Sequence, residues 1–146
     1  MILIIKGPPV AQGRPRFARI GAGVRTYDPA KSSDWKKDIA WQAKEQGARI
    51  MEGPLSVEVI FYLPRPKSLP KKILHHIKKP DLDNLSKAVQ DGLKGIAFRD
   101  DSQIVSLAAR KVYAEHGGSP GVWINIVPAL NSEVIFWLDY PGAPGE

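Results

Sequence analysis

Five aspartates fall between positions 81 and 101 of this chain. They lie in the run Lys79-Pro80-Asp81-Leu82-Asp83-Asn84-Leu85-Ser86-Lys87-Ala88-Val89-Gln90-Asp91 and in Arg99-Asp100-Asp101-Ser102-Gln103. Like charges at short range disfavour one another's ionised form, so acids cluster chiefly where a cation neutralises them. A donor set made only of carboxylates suits Mg²⁺, Mn²⁺ or Ca²⁺. A calcium loop of the helix-loop-helix type does not fit, because counting from Asp81 puts Leu85, Ser86 and Gly92 at positions 5, 6 and 12, where an oxygen ligand, Gly and Glu are required. The chain has no phosphate-binding Gly-rich loop and no His-Glu-x-x-His pair. His75, His76 and His116 have no metal-ligand spacing and read as surface or partly buried side chains.

Local geometry gives the acids a frame. A helix from about Asp83 to Leu93 puts Leu82, Leu85, Val89, Leu93 and Ile96 on one apolar stripe. Asp83, Lys87 and Asp91, spaced by fours, share the opposite one. Pro80 keeps Lys79 out of the helical region, so Asp81 and Asp83 stand at the helix N-terminus, where the helix dipole favours anions. A plainer account makes Asp83 an N-cap, Asp100-Asp101 a turn, and Lys87 the partner of Asp83 or Asp91. Such a pair contributes about 0.3–0.5 kcal/mol. All five acids in one short window, beside a strongly basic half, favour the metal-site reading.

The other elements must position that helix. Ile2 to Lys6 reads as a strand, and residues 7–19 as a Pro/Gly-punctuated basic loop or edge strand. Val24 to Tyr27 returns as a short strand. Ser32 or Ser33 caps a helix running to about Ala48, with Trp35, Ile39 and Ala43 inward. Leu55 to Leu63 alternates as a strand, residues 64–70 form a stiff basic connection, and Lys72 to Ile77 can form a short helical turn. Ile104 to Ala114 and Gly121 to Val127 read as further strands, and the His116-Gly117-Gly118-Ser119-Pro120 turn between them predicts an antiparallel hairpin. The expected fold class is α+β: a single domain with a small mixed or antiparallel sheet packed on two main helices. The apolar cluster Val134 to Leu138 packs on a partner copy or within the chain, and the Pro/Gly tail beyond it should fray.

Charge distribution adds a partner. Residues 1–79 hold 16 Lys/Arg against 6 Asp/Glu, a balance of +10; residues 80–146 hold 5 against 9, a balance of −4. A basic first half suits a polyanion. The absence of cysteine excludes disulfides, thiolate zinc sites and thiol catalysis. No apolar run approaches the roughly 18 residues of a membrane span, and the opening run is too short for a signal peptide, which predicts a soluble, cytoplasmic protein without a membrane partner.

The pattern Pro80-Asp81-Leu82-Asp83-Asn84-Leu85-x-Lys87-x-x-x-Asp91-x-Leu93, then Asp100-Asp101-x-Gln103-Ile104, resembles the signature of RusA-type Holliday junction resolvases. Gly7-Pro8-Pro9, Arg14-Pro15-Arg16 and the extended segment around Tyr27 are similar to that family's opening. The resemblance covers most of residues 1–128, leaving 129–146 as a C-terminal extension without counterpart. It implies a small dimeric Mg²⁺-dependent endonuclease of bacteria and prophages, with Mn²⁺ as a possible substitute. It maps the metal-binding aspartates onto Asp81, Asp83 and Asp101 and the catalytic lysine onto Lys87, with Asp91 and Asp100 as supporting acids. Arg14, Arg16, Arg19, Lys78 and Lys79 are then the expected phosphate grips. The expected activity is paired symmetric nicking of four-way junctions in DNA recombination and repair. Two alternatives stay open: a nonspecific or flap-type Mg²⁺-dependent nuclease, and a module that binds branched DNA without cutting it.

Overall fold

The computed structural model describes residues 1–13, 16–27 and 29–130. In chain order these form β1 (Ile2–Lys6), β2 (Arg16–Ile20), β3 (Gly23–Tyr27), α1 (Ala30–Glu45), β4 (Leu55–Leu63), α2 (Leu82–Leu93), a 3₁₀ turn (Asp101–Gln103), β5 (Ile104–Tyr113) and β6 (Gly121–Pro128). The main sheet has the order β1-β6-β4-β5; β2 and β3 form a separate two-stranded ribbon. Among the described residues the fold is α+β, a four-stranded mixed sheet with two helices, as its sequence leads one to expect.

One face of the sheet carries the core. Leu55, Val57, Val59, Phe61 and Leu63 alternate inward from β4 and meet Leu3, Ile5, Ile124 and Ile126 from its neighbours. Trp35, Ile39 and Ala43 of α1 and Leu85, Val89 and Leu93 of α2 cover them. The two helices approach closely at Gly92, where a Cβ would stand 3.0 Å from Ile39 Cβ and 3.2 Å from the Lys36 carbonyl oxygen. The outer edge of β1 is closed by side chains. Gln46 exchanges two bonds with the Ile4 backbone, and Gln42 does the same with Lys6. These amides take up the groups that a further strand would bind.

Three expectations need correction. The last two strands do not form a hairpin: β6 pairs antiparallel with β1 and β4, while β5 pairs parallel with β4 on its far side. A parallel pair needs a long crossover, and α2 supplies it. The 116–120 turn therefore steps over one strand, and its Gly/Pro chemistry is the same in either topology. Second, α1 starts at Ala30 after Pro29, so neither serine caps it; Ser32 is buried, its hydroxyl accepting from Gly13 N–H at 3.4 Å. The helix stops at Glu45, short of Ala48, because Gly47 takes φ +80° and lets Ala48 N–H reach the Ala43 carbonyl at 3.0 Å. Third, no helix forms over residues 72–77. That segment lies against β5 instead, with His75 bridging Val112 and Tyr113 N–H donating to the Leu74 carbonyl at 2.8 Å. The cluster Val134 to Leu138 lies outside the described residues.

Candidate active site

The helix α2 has its stripes where the periodicity puts them. Leu85, Val89 and Leu93 are buried, Asp83 and Lys87 are exposed, and Asp91 is half-buried. Asp81 occupies the N-cap position with extended backbone and makes no side-chain capping bond. Asp83 sits in the first turn, its Oδ1 accepting from Asn84 N–H at 2.9 Å. The helix turns off at Lys94, and Gly95 (φ +79°) reverses the chain toward Ala97 and Phe98, both fully buried. The short turn carrying Asp100 and Asp101 follows.

Gln103 fixes that turn. Its amide nitrogen donates to the carbonyls of Met51 (2.9 Å) and Gly53 (3.0 Å), and its oxygen accepts from the backbone N–H of Arg99 (2.8 Å) and Asp100 (3.2 Å). Asp100 is spent locally. It caps the turn by accepting from Ser102 N–H and pairs with Lys94. The bond to Lys94, helped by Ser102, holds its carboxyl well below the usual carboxylate range. Asp101, its neighbour, faces α2.

There Lys87 Nζ lies 3.1 Å from Asp91 Oδ1 and 3.2 Å from Asp101 Oδ2. The hydrogen bonds to Asp91 and then Asp101 raise the lysine's pKa, so its charge persists through the neutral range. On the other side of Asp91, Lys36 of α1 approaches Oδ2 at 3.5 Å, and only 16% of its side chain is exposed. The structure thus brings Lys87, Asp91 and Asp101 together in one chain of charges. Asp83, four residues before Lys87, shares that helix face, and Asp81 stands at the N-cap.

The donor chemistry fits a hard divalent cation, since Asp81, Asp83 and Asp101 offer only carboxylate oxygens. Among the described residues, however, no three acidic or histidine side chains converge closely enough to hold an ion as they stand. Asp101 is turned to Lys87 instead.

Of the expected phosphate grips, Lys78 and Lys79 lie nearest the acids in the chain. Both are exposed and are followed by Pro80 and then Asp81. Arg19 is exposed on β2, the Arg16 backbone opens the same strand, and Arg14 lies outside the described residues. The ribbon β2–β3 leaves the body close to the acids, because Gln12 N–H donates to the Asn84 carbonyl at 3.0 Å. Gly13 follows with room for no side chain, a Cβ there coming within 2.5 Å of Pro29 Cγ.

Lys36 and Gln103 are contributors that the sequence pattern does not assign. Lys36 acts from α1 on Asp91 of α2, a pairing distant in sequence that no local spacing reveals. Gln103 stood in the family pattern without a role.

An acidic helix face preceded by the exposed Lys78 and Lys79, on a small α+β fold, is a combination suited to handling nucleic-acid phosphates. The chain belongs to the endodeoxyribonuclease RusA family, whose profile matches residues 6–127. Membership makes it an enzyme, an endodeoxyribonuclease of a family that acts on Holliday junctions. It is also similar to an uncharacterized protein, YqaN, of Bacillus subtilis strain 168, at 39% identity over 122 residues covering 76% of this chain and 86% of the relative. Among the described residues no helix is long and apolar enough to cross a membrane.

Proposed function

We propose that the protein resolves four-way DNA junctions by divalent-metal-assisted phosphodiester hydrolysis, acting as a homodimer that places two symmetric nicks. The observation that carries this is the meeting of Lys87, Asp91 and Asp101 on the exposed face of the helix whose N-terminus presents Asp81 and Asp83. Asp81, Asp83 and Asp101 would hold Mg²⁺, or Mn²⁺ in its place. A metal held there would polarise the phosphate and lower the pKa of a water so that hydroxide is available to attack the phosphorus.

The chain's own groups do the rest. Lys87, kept charged by its two carboxylates, offers its ammonium to the negative charge that develops on the phosphate oxygens. Asp91, tethered by Lys36, keeps that ammonium on the acidic face. Lys78, Lys79 and Arg19 hold phosphates without reading bases, which makes binding steeply salt-dependent. A four-way junction has near two-fold symmetry, so a two-fold dimer matches it with one site per opposed strand.

The test is cleavage of a labelled synthetic four-way junction and its matching linear duplex, each with Mg²⁺ or EDTA. Paired symmetric nicks confined to the junction and abolished by EDTA are expected. Asp83→Asn and Lys87→Ala should still bind the junction but cut it at least ~100-fold more slowly, the scale of losing one electrostatic stabiliser. Normal cleavage by either variant removes the site assignment. Equal cutting of flaps and linear duplex would make it a nonspecific nuclease, and binding without cleavage under every divalent cation a junction-binding module.

A further inference from the structure

We infer that Lys111 is a positioning residue for the acidic site, fixing from β5 the backbone that delivers Asp81 and Asp83; its importance for cleavage rests on the function proposed above. The Lys111 ammonium donates to the carbonyls of Lys78 (2.6 Å) and Pro80 (2.8 Å). Both are short, charge-assisted bonds to neutral acceptors. They bracket the Lys79–Pro80 peptide and end one residue before the N-cap of α2.

The mechanical consequence follows from peptide planarity. The Pro80 carbonyl and the Asp81 nitrogen share one rigid plane, so holding that oxygen fixes where the Asp81 backbone begins. On the far side, the Asp81 carbonyl accepts the first helical bond, from Leu85 N–H at 3.1 Å. Asp81 is thus clamped between a strand of the sheet and the helix. Without Lys111, the nearest β5 anchors upstream are the Tyr113 N–H to Leu74 bond and the tilted ring contact of His76 with Tyr113, 4.7 Å between centroids and 54° between planes. Several residues would then separate Asp81 from its nearest fixed point on the sheet.

The same geometry argues against a direct DNA contact. Lys78 and Lys79 project freely beside the site, whereas two donors of the half-buried Lys111 are already committed to backbone carbonyls. A phosphate-gripping lysine lowers the salt dependence of binding by about one unit of slope when removed; a positioning lysine leaves the slope unchanged.

The experiment uses the full chain with Lys111→Met and Lys111→Arg, and with Arg65→Met as a control that loosens the same connection further from the acids. Arg65 donates to the carbonyls of Ala114, Pro70 and Ile73 and does not touch Pro80. Three quantities are read below the melting range of every variant: amide hydrogen exchange over residues 76–85, junction binding in EDTA across a salt series, and single-turnover junction cleavage in Mg²⁺. Lys111→Met should speed exchange over residues 76–85 at least tenfold and keep junction affinity within about twofold with an unchanged salt slope. It should also cut cleavage at least tenfold, with partial recovery in Lys111→Arg and a smaller loss in Arg65→Met. Unchanged exchange over residues 76–85, or a salt slope shallower by one, overturns the inference. A wild-type chain that does not cleave junctions would refute the proposed function, while the exchange measurement still decides the role of Lys111.

Discussion

Gln103→Ala is the sharpest test of how the second half of the acid set is held. The wild-type amide makes four hydrogen bonds, two as donor and two as acceptor, joining the Arg99–Asp100 backbone to the Met51–Gly53 segment. An intramolecular hydrogen bond contributes about 0.5–1.5 kcal/mol net. Gln103 is only half-buried, so water can replace part of each bond and the low end of that range applies. Four bonds at the low end make a loss of about 2 kcal/mol. For a chain of this size that lowers Tm by roughly 4–8 °C. Thermal and urea unfolding followed by circular dichroism measure it. Gln103→Glu separates the donor pair from the acceptor pair: it can still accept from Arg99 and Asp100 but turns a carboxylate oxygen toward the Met51 and Gly53 carbonyls. That contact raises the new group's folded pKa. The penalty is therefore absent below the unfolded value of about 4.3 and grows as pH rises through the folded one. Gln103→Glu should approach wild-type stability near pH 4 and fall behind at pH 7. A Gln103→Ala protein within about 0.5 kcal/mol of wild type, below the low-end value for two such bonds, would refute the reasoning.

Gly92→Ala should destabilise the protein although alanine is the better helix former. The propensity gain is about 1 kcal/mol, but the new methyl meets Ile39, which is fully buried, and the Lys36 backbone at 3.0–3.2 Å. Overpacking of that kind costs about 1–3 kcal/mol, so a lowered urea midpoint is expected and a raised one would show that the helices separate freely. Asp100→Asn should show a pH-dependent deficit. The wild-type carboxyl is depressed chiefly by Lys94, so its stabilisation is complete above the unfolded pKa of about 3.9 and is lost as pH falls through the lower folded one. The two proteins should differ at pH 7 and converge in strong acid, and a gap that persists at pH 2 unchanged from pH 7 would exclude the charge as its cause.

The features legible in the sequence are those set by short-range periodicity. The two stripes of α2 follow from spacings of three and four, and the inward face of β4 follows from alternation; both stand in the structure. The same spacing lets Lys87 pair with Asp83 or Asp91 in the plainer account, and in the structure its i, i+4 partner is Asp91. The expected hairpin failed because a turn signal reports the local chain reversal and not which strand lies alongside. β6, with Val122, Ile124 and Ile126 all buried, needs a neighbour on each edge and takes β4. β5 carries exposed Arg110 and Val105 and tolerates the sheet margin. The adjacent pair Asp100-Asp101 was ambiguous for a related reason. Only the fold shows that one carboxylate caps the turn and pairs with Lys94, leaving the other to face Lys87.

The topology also divides the site between two independent supports. Lys111 pairs with Phe61 near the C-terminal end of the parallel strands, while Ile104, next to Gln103, pairs with Leu55 at their start. Seven residues of strand separate Ile104 and Lys111, or about 23 Å. Helix α2 runs back from the Lys111 end for about 18 Å over its 12 residues, so Lys111 anchors the segment that delivers Asp81 and Asp83 while Gln103 anchors the turn that carries Asp101. Substitutions so far apart with no shared partner should add in stability to within about 0.5 kcal/mol. Cleavage obeys a different rule, because residues serving one transition state act as a unit and their losses do not multiply. The double variant Lys111→Met, Gln103→Ala should therefore unfold with the sum of the two single losses, yet cut junctions less than tenfold more slowly than the slower single variant. If instead the cleavage losses multiply in full, the two anchored segments serve separate steps, and a single site built from Asp81, Asp83, Lys87 and Asp101 is wrong.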